Sequence, residues 1–289
     1  MTGTDMATIG KAQEKAVGRL TKSGIEHARL EARILLGHVL ELDAAALLAY
    51  PEKEVPTPLY ESFLNLVNRR TRREPLAYLV GVREFWSLPF RVTPHTLIPR
   101  PDSETLVEAV LQWIDDKNSA CTILDLGCGS GCLLLSLLHE LPNATGTGVD
   151  ISPQALDVSQ ENAVALRLDH RAQFIQGDWG NALNDKFDII VCNPPYIPSE
   201  ALRSLEPDVQ EHEPHMALAG GEDGLACYRS LLPYVSDLLA TDGAAFIEAG
   251  IGQANSIAEI ASERQFQLFE IKQDLSEIDR CVILTTRCG

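Results

Sequence analysis

The stretch FDIIVCNPPYIPS, residues 187–199, holds an apolar run from Phe187 to Cys192 that stops at Asn193-Pro194-Pro195-Tyr196. A run this apolar reads as a buried strand, and two adjacent prolines, without N–H donors and fixed in φ, prevent it from continuing. The turn itself supplies an amide, two rigid residues and a phenol, a set suited to gripping a planar NH2 group. The nitrogen of an amide or exocyclic amine has a delocalised lone pair and attacks carbon poorly. Methyl transfer to it requires the nitrogen to be held in line with the methyl donor, with its hydrogens engaged. The Asn193 side-chain oxygen and the Pro194 carbonyl can accept those two N–H bonds, and the proline ring keeps its carbonyl in one direction. Tyr196 can pack over the planar acceptor and exclude water. Such a site works by positioning and electrostatics, with no strong general base in this stretch.

A second constellation lies upstream. After the apolar run CTILDL come Gly127-Cys128-Gly129-Ser130-Gly131 and the helical pattern CLLLSLLHEL. Glycines let the backbone turn sharply and let a ligand approach where a Cβ would stand. The next strand pattern ends at Asp150, about 20 residues past the loop, where a carboxylate can accept from ribose hydroxyls. Three readings compete: a tight strand–helix turn, a dinucleotide site and a nucleoside site. The dinucleotide fingerprint G-x-G-x-x-G needs glycine at 132, and the chain has Cys132. G-x-G-x-G suits a nucleoside without pyrophosphate, such as S-adenosylmethionine. A third strand pattern ends at Gly177-Asp178-Trp179, an acid and an aromatic that could hold adenine by its N6 and its face. Trp179 as a plain rim hydrophobe is the alternative.

The elements that must position these residues fall into two regions. Residues 1–75 carry helical spacing. Leu30, Ile34, Leu35 and Val39 line one face in EHARLEARILLGHVLEL, and Leu59, Phe63, Leu66, Val67 and Arg70 line another, with Pro51, Pro56 and Pro58 between them. This is a small helical bundle. Residues 76–100 change texture: VREFWSLPFRV reads as two short strands around a turn at Ser87-Leu88-Pro89. In IPRPDSE, Asp102 or Ser103 can cap a helix that continues through Leu106, Val107, Val110 and Leu111. Residues 101–289 then alternate strands (121–126, 145–150, 172–176, 187–192, 243–249) with helical patterns, and end in QFQLFEI and RCVILTT. Alternation of this kind predicts an α/β, doubly wound, mostly parallel sheet with ligands at the strand C-termini, and the last two strands as an antiparallel edge hairpin.

Composition narrows the function classes. The 289 residues are 45% hydrophobic and 22% charged, ordinary for a globular protein. No apolar stretch reaches the ~20 residues of a membrane span, and MTGTDMATIGKAQEKAVGRL has no signal-peptide core, so a cytoplasmic protein without membrane contact is expected. A net charge of −17 repels polyphosphate and argues against direct nucleic-acid binding. The basic cluster Arg69-Arg70-Thr71-Arg72-Arg73 reads either as a solvated helix C-terminus or as a docking patch. Seven cysteines, at 121, 128, 132, 192, 227, 281 and 288, form no CxxC pair and suit a reducing compartment. His212 and His215 have no further ligand cluster, so no metal is expected.

These residues resemble class I S-adenosylmethionine-dependent methyltransferases of the N/D-PPY group, which methylate planar nitrogens. The linker EPLAYLVGVREFWSLPFRVTPHTLIPRPDSE, residues 74–104, and the segment EPHMALAGGEDGLACYR, 213–229, are similar to the HemK/PrmC family. Members of that family N5-methylate the glutamine of the Gly-Gly-Gln motif in class 1 peptide chain release factors. The resemblance implies a class I methyltransferase fold with a seven-stranded sheet whose last strand is antiparallel. It further implies S-adenosylmethionine as methyl donor, S-adenosylhomocysteine as product, and a release factor as partner of a monomer. It places the cofactor on Gly127 to Gly131, Asp150, Asp178, Trp179 and Asn193. The glutamine falls on Asn193, Pro194, Pro195 and Tyr196, with Phe85 and Arg100 as linker neighbours and residues 1–75 as the substrate-binding domain. PRPDSE stands where the family more often has PRPETE, an acid being kept at Asp102 and Glu104. A ribosomal-protein glutamine methyltransferase, a DNA adenine-N6 methyltransferase and a non-catalytic cofactor-binding protein are the alternatives.

Overall fold

The computed structural model describes residues 7–181, 183–264 and 266–286; Cys288 lies outside them. The chain divides into two compact units, one of Met1–Gly81 with Glu206–His212, the other of Val82–Leu205 with Glu213–Gly289. Among the described residues no helix is long and apolar enough to cross a membrane.

In the first unit, α1 (Ile9–Lys22) starts at Thr8, whose side chain accepts the Lys11 amide, and buries Ile9, Ala12, Ala16 and Leu20. Helix α2 (Ala28–Leu40) buries Ala28, Ala32, Leu35 and Leu36. Leu30 and Ile34, expected on the packing face, are 54% and 37% exposed. Alanines take the inner face, where small side chains permit close approach of the helices, and hydrophobicity alone misjudges such a face. Asp43 caps α3 (Ala44–Ala49) by accepting the Ala46 amide at 2.7 Å; α4 (Thr57–Arg70) and α5 (Leu76–Val80) come next. The basic cluster is not simply solvated. Arg70 is 5% exposed and pairs with Glu31 at 2.5 Å and with Asp208, in the short helix that returns to this unit (Pro207–His212), at 2.8 Å.

The second unit opens with β1 (Val82–Phe85) and β2 (Leu88–Arg91), paired antiparallel. The turn is Trp86-Ser87, at φ 51° and 58°, one residue earlier than the sequence suggests. Two left-handed residues match the twist of the flanking strands, so Leu88 and Pro89 enter the ladder. Next come α6 (Glu104–Trp113), β3 (Thr122–Leu126), α7 (Cys132–Glu140), β4 (Thr145–Asp150), α8 (Pro153–Ala165), β5 (Ala172–Gln176) and β6 (Phe187–Cys192). After the returning helix, α9 in chain order, come α10 (Ala226–Leu238), β7 (Leu239–Glu248), α11 (Ala254–Ser262), β8 (Gln267–Gln273) and β9 (Asp279–Thr285).

The seven strands lie in the order β5-β4-β3-β6-β7-β9-β8. All neighbours pair parallel except β9, which is antiparallel to both β7 and β8. The final pair is thus a hairpin, but β9 slots between β7 and β8, leaving β8 at the edge. Along β6, Ile189 and Val191 enter one core and Ile190 and Cys192 the other, because helices cover both faces of a parallel sheet. The order reverses at β3, so the loops after β3 and β6 flank the crevice of a doubly wound fold.

Candidate active site

The loop after β3 is built by its neighbours. Gly127 and Cys128 donate to the Val149 carbonyl at 2.8 and 3.0 Å, and Gly129 donates to Asp150 Oδ2 at 2.9 Å. Asp150 Oδ1 accepts the Ser152 amide at 2.9 Å. Burial pushes the Asp150 carboxyl up, against the pull of the Ser152 and Gly129 amides. Each oxygen keeps a lone pair for a ligand hydroxyl. Gly127, Gly129 and Gly131 all have left-handed φ, of 74°, 56° and 76°, but they serve different ends. A Cβ on Gly129 would meet nothing within 4 Å, whereas one on Gly131 would sit 3.2 Å from Ser159 Oγ and 3.3 Å from its Cβ. Gly131 therefore lets α7 start against α8. Helix α8 in turn holds the loop: Ser159 donates to the Gly129 carbonyl at 2.8 Å and Asn162 to the Ser130 carbonyl at 2.9 Å. Beneath the loop lies Asp125, 1% exposed, whose carboxyl is raised to about 7 by burial.

A cavity of about 480 Å³ opens beside this loop, within the roughly 300–1,000 Å³ of small-molecule sites. Residues 127–130, Asp150, Asp178 and Trp179 line it, as do Arg100, Asn193 and Pro195. Trp179 adopts φ 51°, and its ring lies 3.8 Å from where a Gly127 Cβ would stand. An aromatic ring, an acid with free lone pairs and a loop whose glycines leave room for close approach fit a nucleoside. His95 and Thr96 of the linker and Pro214, His215 and Met216 complete the wall. Gly131, Pro194, Tyr196 and Phe85 do not line the cavity. Pro194 is buried, and Phe85, 1% exposed, stacks edge-on against Phe90 at 6.2 Å inside the core. Phe85 is thus a support of the linker hairpin rather than a neighbour of the acceptor. His212 contacts the Arg72 carbonyl at 3.2 Å in the helical unit.

The Asn193 turn is fixed from behind. The Gln253 side chain donates to the Tyr196 carbonyl at 3.0 Å, and Ile197 donates to Leu218 and Gly220 to Ile197 at 3.0 and 2.9 Å. A Cβ on Gly220 would lie 2.7 Å from the Tyr196 backbone, which explains that glycine of EPHMALAGGEDG. Tyr196 does not cover the cavity; its hydroxyl donates to Glu248 Oε1 at 3.2 Å, and burial raises its pKa. Asn193 Nδ2 donates to Ser103 Oγ at 3.1 Å, and Ser103 donates to Glu248 Oε2 at 2.5 Å. Sequence reading missed Ser103 and Glu248. Ser103 reads as a helix cap, yet its side chain makes no capping bond. The signal for Glu248 is an acid closing the apolar strand GAAFIEA, at the same sheet end as Asn193.

Comparisons with known proteins bear on the fold and on the family. A family profile described as the PrmC N-terminal domain matches residues 11–81, and one described as a methyltransferase domain matches 117–237. A solved methyltransferase of Pyrococcus furiosus shares the fold at a TM-score of 0.53, with 16% identity over 76% of this chain and 98% of that one. A 16S rRNA N2 methyltransferase of T. thermophilus, solved with AdoMet and guanosine, gives 0.52 at 21% identity, covering 71% of this chain and 50% of that one. Among curated proteins, the release factor glutamine methyltransferase of Rhodospirillum rubrum is 43% identical, over 97% of this chain and 86% of its own. That of Moorella thermoacetica is 43% identical over 97% and 99%, and that of Vibrio cholerae 40% over 96% of each. Identity at this level along nearly the whole of both chains exceeds a shared fold: the chain belongs to the release factor glutamine methyltransferase family.

Proposed function

We propose that this protein transfers a methyl group from S-adenosylmethionine to the side-chain N5 of the glutamine in the Gly-Gly-Gln motif of a class 1 peptide chain release factor, leaving S-adenosylhomocysteine. The observation that carries the reading is the Asn193 amide, anchored by its Nδ2 to Ser103 at the wall of a cavity that also holds the glycine loop and Asp150. The names of the relatives support the same acceptor.

Asp150 holds the nucleoside end, the glycines of the loop leave room for it to approach, and Trp179 flanks the base. S-adenosylmethionine, when bound, supplies a methyl group on a positively charged sulfur that leaves as a neutral thioether. Asn193 Oδ1, at the cavity wall, accepts an N–H group of the glutamine amide and keeps its nitrogen pointed at that methyl. As the new N–C bond forms, the amide nitrogen becomes positively charged and strongly acidic, so that its extra proton passes to water without a strong base. Asn193 Oδ1, already aimed at its N–H, stabilises the developing charge. Pro195 and Arg100, on the same wall, meet the rest of the glutamine loop. The helical unit would hold the body of the release factor. The reaction would belong to the cytoplasm, be performed by a monomer, and, at a net charge of −17, involve no direct nucleic-acid contact.

The test is incubation of the full chain with labelled S-adenosylmethionine and purified release factor, followed by mass spectrometry of the Gly-Gly-Gln peptide. A methylated glutamine is expected. Label on ribosomal protein or DNA, and none on the release factor, would overturn the reading.

A further inference from the structure

Glu248 ends β7 with its side chain 1% exposed, and both its oxygens accept hydroxyl protons, Oε2 from Ser103 and Oε1 from Tyr196. Ser103 then accepts from Asn193 Nδ2. We propose that Glu248 is a positioning residue for methyl transfer: as a carboxylate it sets the direction of the Asn193–Ser103–Glu248 chain, so that Asn193 presents its oxygen, not its NH2, to the acceptor nitrogen. The inference rests on the reading above, in which that nitrogen belongs to a planar amide.

The logic is one of donors and acceptors. An ionised carboxylate can only accept. The single proton of Ser103 is therefore committed to Glu248, and Ser103 can only accept from Asn193. The amide must turn Nδ2 towards Ser103, which turns Oδ1 the other way. A protonated Glu248 can donate to Ser103, whose proton becomes available to Asn193 Oδ1, and the amide flips. Asn193 would then offer N–H groups to the N–H groups of the substrate, and no hydrogen bond could form. Tyr196, by donating to Oε1, favours the charged carboxylate and with it the first arrangement.

The surroundings hold Glu248 near the point of change. Arg280 of β9 and the two hydroxyls favour the charged form; burial, the largest effect, and Asp102 oppose it, leaving the carboxyl at about 7. Arg280 is itself held by Asp274 and Asp102 at 3.1 and 3.2 Å. Tyr228 of α10 gives its hydroxyl to the Glu248 backbone carbonyl at 2.9 Å. The thiols of Cys132, Cys192 and Cys281 lie within electrostatic range of this carboxylate, and burial raises all three out of the way of ionisation. Since the charged form is the productive one, turnover is lost as pH falls through this value.

The test compares wild type, Glu248→Gln, Ser103→Ala and the variant carrying both substitutions in the full chain, reading kcat and KM from about pH 5.5 to 9. In parallel, the side-chain amide resonance of Asn193 is followed by nitrogen-15 NMR in the presence of S-adenosylhomocysteine. Wild-type kcat should fall below about pH 7, and the Asn193 resonance should move with the same midpoint. Glu248→Gln should lower kcat about tenfold, leave KM within about twofold, and abolish both pH responses. The double variant should be no worse than Ser103→Ala alone, because the two act through one chain. An unchanged acid limb in Glu248→Gln, or an Asn193 resonance that ignores pH in wild type, overturns the proposal. Should Glu248→Gln fail to fold by thermal melting, Ser103→Ala and the wild-type NMR titration decide it in the same terms. A wild type that methylates no release factor would refute the acceptor assignment instead, while the NMR arm still judges the relay.

Discussion

Arg100 and Glu213 form an ion pair at 2.5 Å in which the Glu213 side chain is 1% exposed and that of Arg100 33%. Glu213 also accepts the Ile98 amide at 3.2 Å. One carboxylate thus ties the end of the linker to the segment that begins at Glu213, and both flank the cavity. Removing the cation strands a buried charge, whereas neutralising the acid leaves a partly exposed guanidinium that water can serve. Arg100→Ala should therefore cost about 3 kcal/mol of stability and Glu213→Gln about 1 kcal/mol. Denaturant unfolding of the two variants checks the asymmetry, and equal losses would contradict it.

Asn193→Ala removes the oxygen aimed at the acceptor and keeps the glycine loop, Asp150 and Trp179. The expected result is a fall in kcat of roughly 100-fold or more. Binding of S-adenosylhomocysteine, measured by calorimetry, should stay within about threefold, since no uniform binding is lost. A variant with near wild-type turnover would refute the role of the amide.

The loop glycines should separate by readout. Gly131→Ala adds a methyl against Ser159 at φ 76° and should destabilise the protein by about 2 kcal/mol or more through strain and contact. Gly129→Ala, at φ 56° with open space around its Cβ, should cost about 1 kcal/mol. Its main effect should be weaker nucleoside binding. Melting curves and cofactor titrations of both variants distinguish a packing glycine from a binding one.

Asp125 gives a pH signature of its own. Its carboxyl lies at about 7 in the folded protein, against an ordinary 3.8, chiefly through burial. Between those values the native state keeps a proton that the unfolded chain releases, so stability falls as pH rises, by at most about 1.4 kcal/mol per pH unit, and levels off above about 7. Asp125→Asn retains an acceptor for the Leu134 amide and removes the titration. Its stability relative to wild type should increase from about pH 5 to about pH 7.5, as measured by denaturant unfolding at each pH. A constant difference would show that Asp125 is charged in the fold.

What was legible in the sequence was what is local. The glycine loop, Asp150 and Asn193 each follow a strand directly, and strand ends of a doubly wound sheet meet on one side, so these residues could be grouped from sequence. Phe85 misled because a two-residue hairpin hides which face its phenylalanines take; the Trp86-Ser87 turn sends Phe85 inward. Ser103 and Glu248 were invisible as partners because 145 residues separate them, and only the sheet order brings β7 beside β6 and Asn193. The inner face of α2 was misassigned because alanines, not the larger Leu30 and Ile34, pack there. Hairpin pairing at the C-terminus was readable, but not that β9 would be the inner strand.

The return of residues 206–212 to the helical unit bears on what counts as a module. Sequence comparison recognises 11–81 as the N-terminal domain, yet the folded body includes seven residues encoded far downstream. Arg70 takes one of its carboxylates from there. A gene cut after residue 81 would separate Arg70 from one of its two carboxylates, leaving it Glu31 alone. The unit of inheritance and the unit of folding are offset in this chain, and grafts between relatives would keep the arginine and its distant aspartate together only by moving both pieces.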